Sequence, residues 1–301
     1  MGTPTPRRRR LDPRESLLGI IFCVPALLGL GIFVIFPLFQ AVFLTTRRTD
    51  INGDPTLPAG GENFRKLFTP EFGQVLLHTL EFTAMVVAGG VVLPLLLAVP
   101  MAQKLRGMRI FRVLFTLPFA YSAAAASVVW LLMLDPSMSP LNWVLGLVGV
   151  TSPAWTATMP WALITVAWVT TWMVSGFNLL VLSAGLASVD EEVLEAAKID
   201  GSVGIGHFFR VLLPMISPHV FFVVVTTTLT ALQALGQVQV ITDGGPNGST
   251  ATLVYSIFDQ SFHNGHDNFG LASAQGLVLL LVGILLAAVQ FGVIERRVHY
   301  R

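Results

Sequence analysis

The chain has 301 residues, of which 53% are apolar and only 12% are charged. Soluble domains carry about 25% charged residues, so this sequence has too little charge to cover the surface of a soluble enzyme. The formal net charge is +1, and the sparse basic residues form no stripe, which does not favour a nucleic-acid partner. The only cysteine, Cys23, has no second cysteine for an intrachain disulfide. The composition therefore predicts an all-α integral membrane protein.

Six apolar stretches are long enough to cross a bilayer, whose core of about 30 Å needs about 20 helical residues. The predicted spans, in chain order, are Leu17–Leu44, Gln74–Met101, Ile110–Leu134, Met159–Ala187, Val211–Ile241 and Leu271–Ile294. The first span is too long for a signal peptide and follows the basic run Arg7–Arg10, which is typical of a cytoplasmic anchor. The stretch Leu141–Val150 is too short to cross and is predicted to lie at the membrane interface.

The distribution of basic residues predicts the orientation. If the N-terminus is cytoplasmic, 14 of the 18 lysines and arginines lie inside. The other four lie in the first outside loop and are Arg47, Arg48, Arg65 and Lys66. By the positive-inside rule both termini are cytoplasmic. The predicted organisation is a basic tail (1–16), a six-helix transmembrane domain (17–294) and a C-terminal tail (295–301).

The sequence carries no catalytic or nucleotide-binding motif. None of its three lysines follows a glycine, which excludes a Walker A motif. His263 and His266 lie in a polar outside loop without a fixed fourth ligand, so that loop is predicted to be solvated rather than metal-binding. We therefore predict no metal site, no cofactor and no enzymatic activity. Uphill transport would take its energy from an ion gradient or from a partner that hydrolyses ATP.

The loop between spans 4 and 5 (188–212) is unusually acidic for the inside of a membrane protein. Ser188 and Glu191 have the spacing of a capping box, and Gly201 stands where a glycine ends a helix. The small apolar face of this helix consists of Val193, Leu194 and Ala197. The residues alone leave two interpretations: a helical hairpin on the bilayer surface, or an acidic helix that fits a basic groove of a partner.

This loop resembles the EAA loop of bacterial ABC importer permeases. The matching residues are Glu195, Ala196, Ala197, Gly201, Leu213 and Pro214. Val211 replaces the usual isoleucine, and Val203–Gly206 lacks the basic residues that usually follow the glycine. The resemblance covers nearly the whole chain and is closest to carbohydrate and glycerol-3-phosphate permeases of the maltose-permease type.

The resemblance implies a permease subunit of the bacterial cytoplasmic (inner) membrane that does not itself hydrolyse ATP. Such a subunit forms a heterodimer with a second permease around the translocation path. Two ATP-binding subunits engage the EAA helices, and an extracytoplasmic solute-binding protein delivers the solute. An ion-coupled secondary carrier is the alternative, for which His78 and Glu81 of span 2 are the candidate coupling residues.

Polar side chains within the spans are candidates for the substrate path, since burying them is costly without a cavity or a partner. The candidates are Trp172, Ser175, Asn178, Gln233 and Gln237. An indole face with nearby amides suits a sugar, although each residue could instead make hydrogen bonds between helices. No lysine or arginine lies in the middle of a span. The sequence therefore favours a neutral sugar, oligosaccharide or polyol over a glycerol-3-phosphate-type solute.

Overall fold

The computed structural model describes residues 13–50, 52–101, 107–135, 139–202, 204–262 and 268–297. The first helices are α1 (Pro13–Leu30), α2 (Phe36–Leu44), α3 (Glu62–Arg65), α4 (Pro70–Met101), α5 (Met108–Thr116), α6 (Ala123–Leu134) and α7 (Pro140–Leu147). They are followed by α8 (Trp161–Ala187), α9 (Glu191–Ile199), α10 (Gly204–His207), α11 (Leu213–Met215), α12 (Ser217–Leu232), α13 (Gly236–Ile241), α14 (Leu253–Phe262) and α15 (Phe269–Val289). Two short strands, β1 (Arg47–Thr49) and β2 (Pro55–Pro58), pair antiparallel.

Most of the basic tail, the His263 and His266 pair and the last four residues lie outside the described ranges. Within the described ranges, four helical stretches are long and apolar enough to cross a membrane: Ile20–Leu44, Pro70–Met101, Trp161–Ala187 and Phe269–Val293. They correspond to predicted spans 1, 2, 4 and 6. The predicted interfacial stretch forms the short helix α7.

Predicted span 3 is not one continuous helix. Its halves, Ile110–Ala120 and Ala123–Leu134, meet at an angle of 108°. Pro118 lies in a turn of 3₁₀ helix at the break, and the backbone is extended at Tyr121 and Ser122. The Ser122 hydroxyl accepts a hydrogen bond from the Ala125 amide and so caps α6 as a new helix.

The single helix predicted over Val211–Ile241 is also wrong. Gly204–Met215 and Ser217–Leu232 meet at 76°, and α13 is a separate helix that begins at Gly236. Pro218 lies in the first turn of α12, where a missing backbone N–H does no harm, so a new helix can start there. Each bent pair taken as one span raises the number of spans among the described residues to six.

The centre of the molecule is the packing of α4 against α8 and α12. Two glycines of α4 allow this close approach. A Cβ at Gly89 would lie 2.8 Å from a side-chain carbon of Thr171, and one at Gly90 would lie 3.0 Å from a side-chain carbon of Thr227. Small residues let membrane helices approach closely where the hydrophobic effect does not drive their association. These contacts fix α8 and α12, which carry most of the candidate site.

The strand pair is attached to the start of α15. Buried Asn63 donates its amide hydrogens to the carbonyl oxygens of Thr45 at 2.9 Å and Arg47 at 3.0 Å. The Phe269 amide donates to the Thr49 hydroxyl at 3.1 Å. These bonds hold the first loop, the first residues of α15 and the end of α2 together as one cap.

The Gly270→Ala substitution is expected to destabilise this cap. A Cβ at Gly270 would collide with the carbonyl oxygen of Arg47 and lie 2.7 Å from the Asn63 amide nitrogen. Overpacking of this kind costs about 1–3 kcal/mol, which thermal unfolding of the purified protein would detect. Gly276→Ala is the matched control, because a Cβ there meets nothing within 4 Å. Equal stability of the two variants would contradict the close packing of Gly270 against Arg47 and Asn63.

Candidate functional site

A cavity of about 260 Å³ lies between α8, α12 and the break that separates α5 from α6. Its walls are formed by Phe119, Tyr121, Met173, Val174, Phe177, Asn178, Thr226, Thr227, Thr230 and Gln237. None of these residues is charged. The polar groups that face the cavity are hydroxyls and amides, set among aromatic rings. Such a lining can form hydrogen bonds with hydroxyl groups but has no charge to neutralise an anion.

The break in span 3 brings two aromatic residues, Phe119 and Tyr121, to the cavity wall. Gly176 of α8 permits this approach, because a Cβ there would lie 2.8 Å from the Thr116 carbonyl oxygen and 2.9 Å from the Phe119 Cβ. The Phe119 ring packs on Phe177 with centroids 5.4 Å apart. The cavity wall therefore depends on a feature that a continuous helix would not have.

Asn178 satisfies a carbonyl group that a proline leaves without its helical partner. In α4 the Gly90 carbonyl would normally accept from the N–H of residue 94, but that residue is Pro94, which has none. The buried Asn178 Nδ2 donates to this carbonyl at 2.7 Å and to the Thr227 hydroxyl at 2.9 Å. Asn178 therefore links three helices, and its amide oxygen is the polar atom left for the cavity.

The structure brings only some of the predicted substrate-path residues together. Asn178 and Gln237 share the cavity wall, and the Gln237 amide also contacts the Met173 sulfur at 3.5 Å. Trp172 lies beside the cavity and stacks on Tyr121. The two remaining candidates do not line it. Ser175 donates to the Thr171 carbonyl of its own helix at 2.6 Å, and Gln233 lies in a groove between α12 and α15.

The threonines of α12 were not among the sequence candidates. Thr226 and Thr230 are one helical turn apart, and each donates its hydroxyl hydrogen to a carbonyl of its own helix at 2.9 Å. Their oxygens can still accept hydrogen bonds in the cavity. The signal in the sequence is the run of four hydroxyl residues within Thr226–Thr230, inside a predicted span.

The loop 188–212 contains the predicted helix, but its cap differs from the prediction. Asp190, not Ser188, caps α9 by accepting from the Glu192 amide at 3.0 Å. The Ser188 hydroxyl instead donates to the Gly185 carbonyl at the end of α8, at 2.8 Å. The predicted capping box is therefore wrong, because Ser188 caps the end of α8 and α9 begins only at Glu191, three residues later.

Gly201 ends α9 as the sequence predicts. Its φ is +79°, in the left-handed region, and the Ser202 amide donates to the Ala197 carbonyl at 2.9 Å. This hydrogen bond across the glycine is the hallmark of a Schellman motif. Beyond it, a recess of about 380 Å³ is lined by Ala197, Asp200, Gly201, Ser202, Gly206, Arg210 and Val211.

The exposed apolar surface of this loop differs from the predicted one. Val193, Leu194 and Ala197 are half-buried, as are Leu213 and Pro214, whereas Glu195 and Ala196 are exposed. Among the described residues of this loop, the most exposed apolar side chains are Ile199 (87%), Ile205 (79%) and Phe209 (59%). Sequence periodicity missed Ile205 and Phe209 because they follow the turn at Gly201 and do not belong to α9.

Comparison with known proteins identifies the family. The family described as binding-protein-dependent transport system inner membrane component matches residues 16–300. The chain belongs to this family. It is a permease component of the inner membrane, and the predicted family and the all-α membrane fold are confirmed. Among the described residues, no group of three or more histidines, cysteines or carboxylates is placed to hold a metal ion.

Two curated relatives are sn-glycerol-3-phosphate transport system permease proteins UgpA. The relative from Pectobacterium atrosepticum is 33% identical over 96% of this chain and 97% of its own length. The relative from Agrobacterium fabrum is 31% identical over 95% of this chain and 97% of its own length. Membership of this family favours the permease subunit of a binding-protein-dependent transporter over an ion-coupled secondary carrier.

Two solved structures share the fold. One is a bacterial alginate ABC transporter in complex with an alginate pentasaccharide-bound periplasmic protein, with a TM-score of 0.78 and 18% identity over 94% of this chain and 95% of that one. The other is a bacterial ABC transporter involved in the import of the acidic polysaccharide alginate, with a TM-score of 0.75 and 19% identity over 94% and 96%. At these identities the likeness is one of fold.

Proposed function

We propose that this chain is the permease subunit of an ATP-driven importer for a neutral, polyhydroxylated solute. It forms the translocation path with a second permease, engages two ATP-binding subunits through the loop 188–212, and receives solute from an extracytoplasmic binding protein. The similarity to transport-system permeases and to an alginate ABC transporter in complex with a periplasmic protein supports this assembly. ATP hydrolysis belongs to the separate subunits, since the chain has no nucleotide-binding motif.

The uncharged cavity is the observation that carries the choice of solute. The named relatives serve sn-glycerol 3-phosphate, and the two structural neighbours import acidic alginate. An anion held within a membrane requires a cation or a strong set of donors. The cavity offers threonine hydroxyls, two amides and aromatic faces, which match the hydroxyls and apolar faces of a sugar or polyol.

Uptake in proteoliposomes tests this assignment. The complete transporter, with its binding protein and ATPase subunits, is offered a panel of neutral sugars and polyols and, separately, glycerol 3-phosphate. We expect ATP-dependent uptake of a neutral solute, and a loss of about tenfold in Gln237→Leu, which is the effect of about 1.4 kcal/mol. Gln233→Leu is the matched control and should retain uptake, because Gln233 lies outside the cavity.

If only glycerol 3-phosphate is taken up and Gln237→Leu reduces that uptake, the proposal of a neutral solute is wrong. The cavity would still be part of the translocation path. Uptake driven by an ion gradient without ATP would contradict the importer and favour the secondary carrier. Equal losses of uptake in the Gln233 and Gln237 variants would contradict the proposal that the solute passes through the cavity.

The orientation is a second part of the proposal. The excess of lysine and arginine on one side supports a cytoplasmic location of both termini. Alkaline phosphatase fusions after Asp54 and after Asn247 are therefore expected to be active, and a fusion after Asp200 inactive. An active alkaline phosphatase at Asp200 would show that the loop 188–212 is extracytoplasmic. It could then not contact cytoplasmic ATPase subunits, and the proposed orientation would be wrong.

A further inference from the structure

Five of the six tryptophans of the chain gather along one side of α8. Trp161, Trp168 and Trp172 belong to α8 itself and, at i, i+7 and i+11, share one face of the helix. At about 1.5 Å per residue they extend over about 17 Å of the axis. Trp130 of α6 and Trp155 of the preceding loop pack against this face.

The rings form two groups that a second cavity joins. Trp155 packs on Trp161 with centroids 5.5 Å apart. Trp130 packs on Trp168 at 6.3 Å and on Trp172 at 5.7 Å. The second cavity, of about 240 Å³, is lined by Trp130, Leu134, Leu141, Trp155, Ile164, Thr165 and Trp168. Aromatic surface therefore continues from the start of α8 as far as Trp172.

Tyr121 connects this aromatic surface to the central cavity. Its ring stacks on Trp172, with centroids 6.2 Å apart and an interplanar angle of 28°, and it also forms part of the central cavity wall. Tyr121 reaches this place because span 3 is broken beside it. We call Trp161, Trp155, Trp168, Trp130, Trp172 and Tyr121 the aromatic track.

An interfacial belt does not account for the whole track. Tryptophans that anchor a helix lie at the headgroup level. Trp161, at the first position of α8, fits that role, but Trp172 lies about 17 Å further along the helix axis. The deeper rings are also accessible, because the side chains of Trp168 and Tyr121 are both exposed in this chain. These rings therefore offer accessible surface below the interface.

We propose that the aromatic track binds successive sugar rings by stacking and leads them from the extracytoplasmic end of α8 to the central cavity. This inference rests on the proposed function and narrows the solute to a neutral oligosaccharide. An aromatic face accepts the apolar C–H face of a pyranose, and indole N–H groups donate to its hydroxyls. The two cavities lie at successive positions along the track, so a solute that contacts both is longer than one sugar ring.

The arrangement of polar groups fits a surface along which a solute moves. The second cavity has one hydroxyl, that of Thr165, and it donates to the Trp155 carbonyl oxygen at 2.9 Å. The Trp155 indole N–H donates to the Asn142 side-chain oxygen at 2.8 Å, which fixes that ring in place. A path of stacking faces with few fixed hydrogen bonds binds each ring weakly, so a chain can advance along it.

Uptake of solutes of different length tests the track. The probes are glucose, maltotriose and maltopentaose, offered to the complete transporter in proteoliposomes. We expect maltopentaose uptake to fall about tenfold in Trp168→Leu while glucose uptake changes little. Trp143→Leu is the matched control, because Trp143 is 68% exposed on α7 and is not part of the track. Equal uptake of all three sugars by wild type and Trp168→Leu overturns the track.

Fluorescence quenching tests the track without knowledge of the solute. Trp168→Phe and Trp143→Phe are compared in nanodiscs of the permease pair, with acrylamide in the water or with bromine on the lipid acyl chains. We expect the quenching by acrylamide to decrease most in Trp168→Phe and the quenching by brominated lipid to decrease most in Trp143→Phe. Strong quenching of Trp168 by brominated lipid would make the track an acyl-chain surface and overturn the inference.

The outcomes separate the track from the proposed function. If only glucose is taken up and Gln237→Leu reduces that uptake, the proposal of a permease for a neutral solute stands. The proposal that the aromatic track binds oligosaccharides is then wrong. Uptake restricted to glycerol 3-phosphate would overturn both the neutral solute and the track.

Discussion

Asn178→Leu is expected to lower the free energy of unfolding by about 1–3 kcal/mol, the cost of an unsatisfied buried polar group. Leucine has a similar size but no donor, so the Gly90 carbonyl, which Pro94 already deprives of its helical partner, loses the hydrogen bond at 2.7 Å. The bond to Thr227 at 2.9 Å is lost as well. Thermal or denaturant unfolding of the purified protein in detergent measures the effect.

A double-mutant cycle with Pro94→Ala isolates the cause. Alanine at position 94 restores the N–H that the Gly90 carbonyl would accept within α4. Asn178→Leu should therefore cost less in the Pro94→Ala background than in the wild type, with a coupling energy of about 0.5–3 kcal/mol. Ser175→Ala is the matched control on the same helix, because the Ser175 hydroxyl bonds only to its own helix. Additive losses in the cycle would show that Asn178 does not compensate for the proline.

Hydropathy predicted where the spans lie but not which of them are broken. Proline is present in continuous and in broken helices alike: Pro25 lies inside α1 and Pro94 inside α4, whereas Pro118 lies in the break between α5 and α6. Whether a proline interrupts a helix depends on whether another group satisfies the carbonyl that it frees. In α4 that group is Asn178, which comes 88 positions after Gly90 in the chain. A single sequence does not specify such a pairing.

The candidate site shows the same limit. Gln233 and Gln237 are four residues apart, so in the predicted continuous helix they share one face. The end of α12 at Leu232 separates them, and only Gln237 reaches the central cavity. The polar character of α8 was readable, because few polar residues are tolerated in a span without a role. The contribution of Tyr121 to the cavity wall could not be predicted from the sequence, because it depends on the break in span 3.

Glu195→Lys is expected to reduce uptake by about tenfold or more while the protein remains inserted in the membrane, a loss that corresponds to about 1.4 kcal/mol of coupling. Glu195 is exposed on α9, beside the exposed apolar side chain of Ile199. On our proposal this surface enters a basic groove of an ATP-binding subunit, where lysine would place like charges together. Uptake and ATPase activity in proteoliposomes, with co-purification of the ATPase subunit, measure the loss.

Gly201→Ala tests whether the shape of the loop, and not only its charge, couples the subunits. A Cβ at Gly201 meets nothing within 4 Å, so the substitution causes no collision. Its cost comes from the backbone, because φ is +79° and an L-residue in that region loses about 1–2 kcal/mol. We expect the turn after α9 to open, the exposed Ile205 and Phe209 to move relative to α9, and ATPase binding or coupled uptake to weaken.

Gly206→Ala, in the same loop with open space and without a left-handed φ, should behave as wild type. If Gly201→Ala and Glu195→Lys both retain uptake and co-purify with the ATPase subunit, the loop 188–212 is a surface hairpin, because neither its charge nor its turn is then needed for a partner.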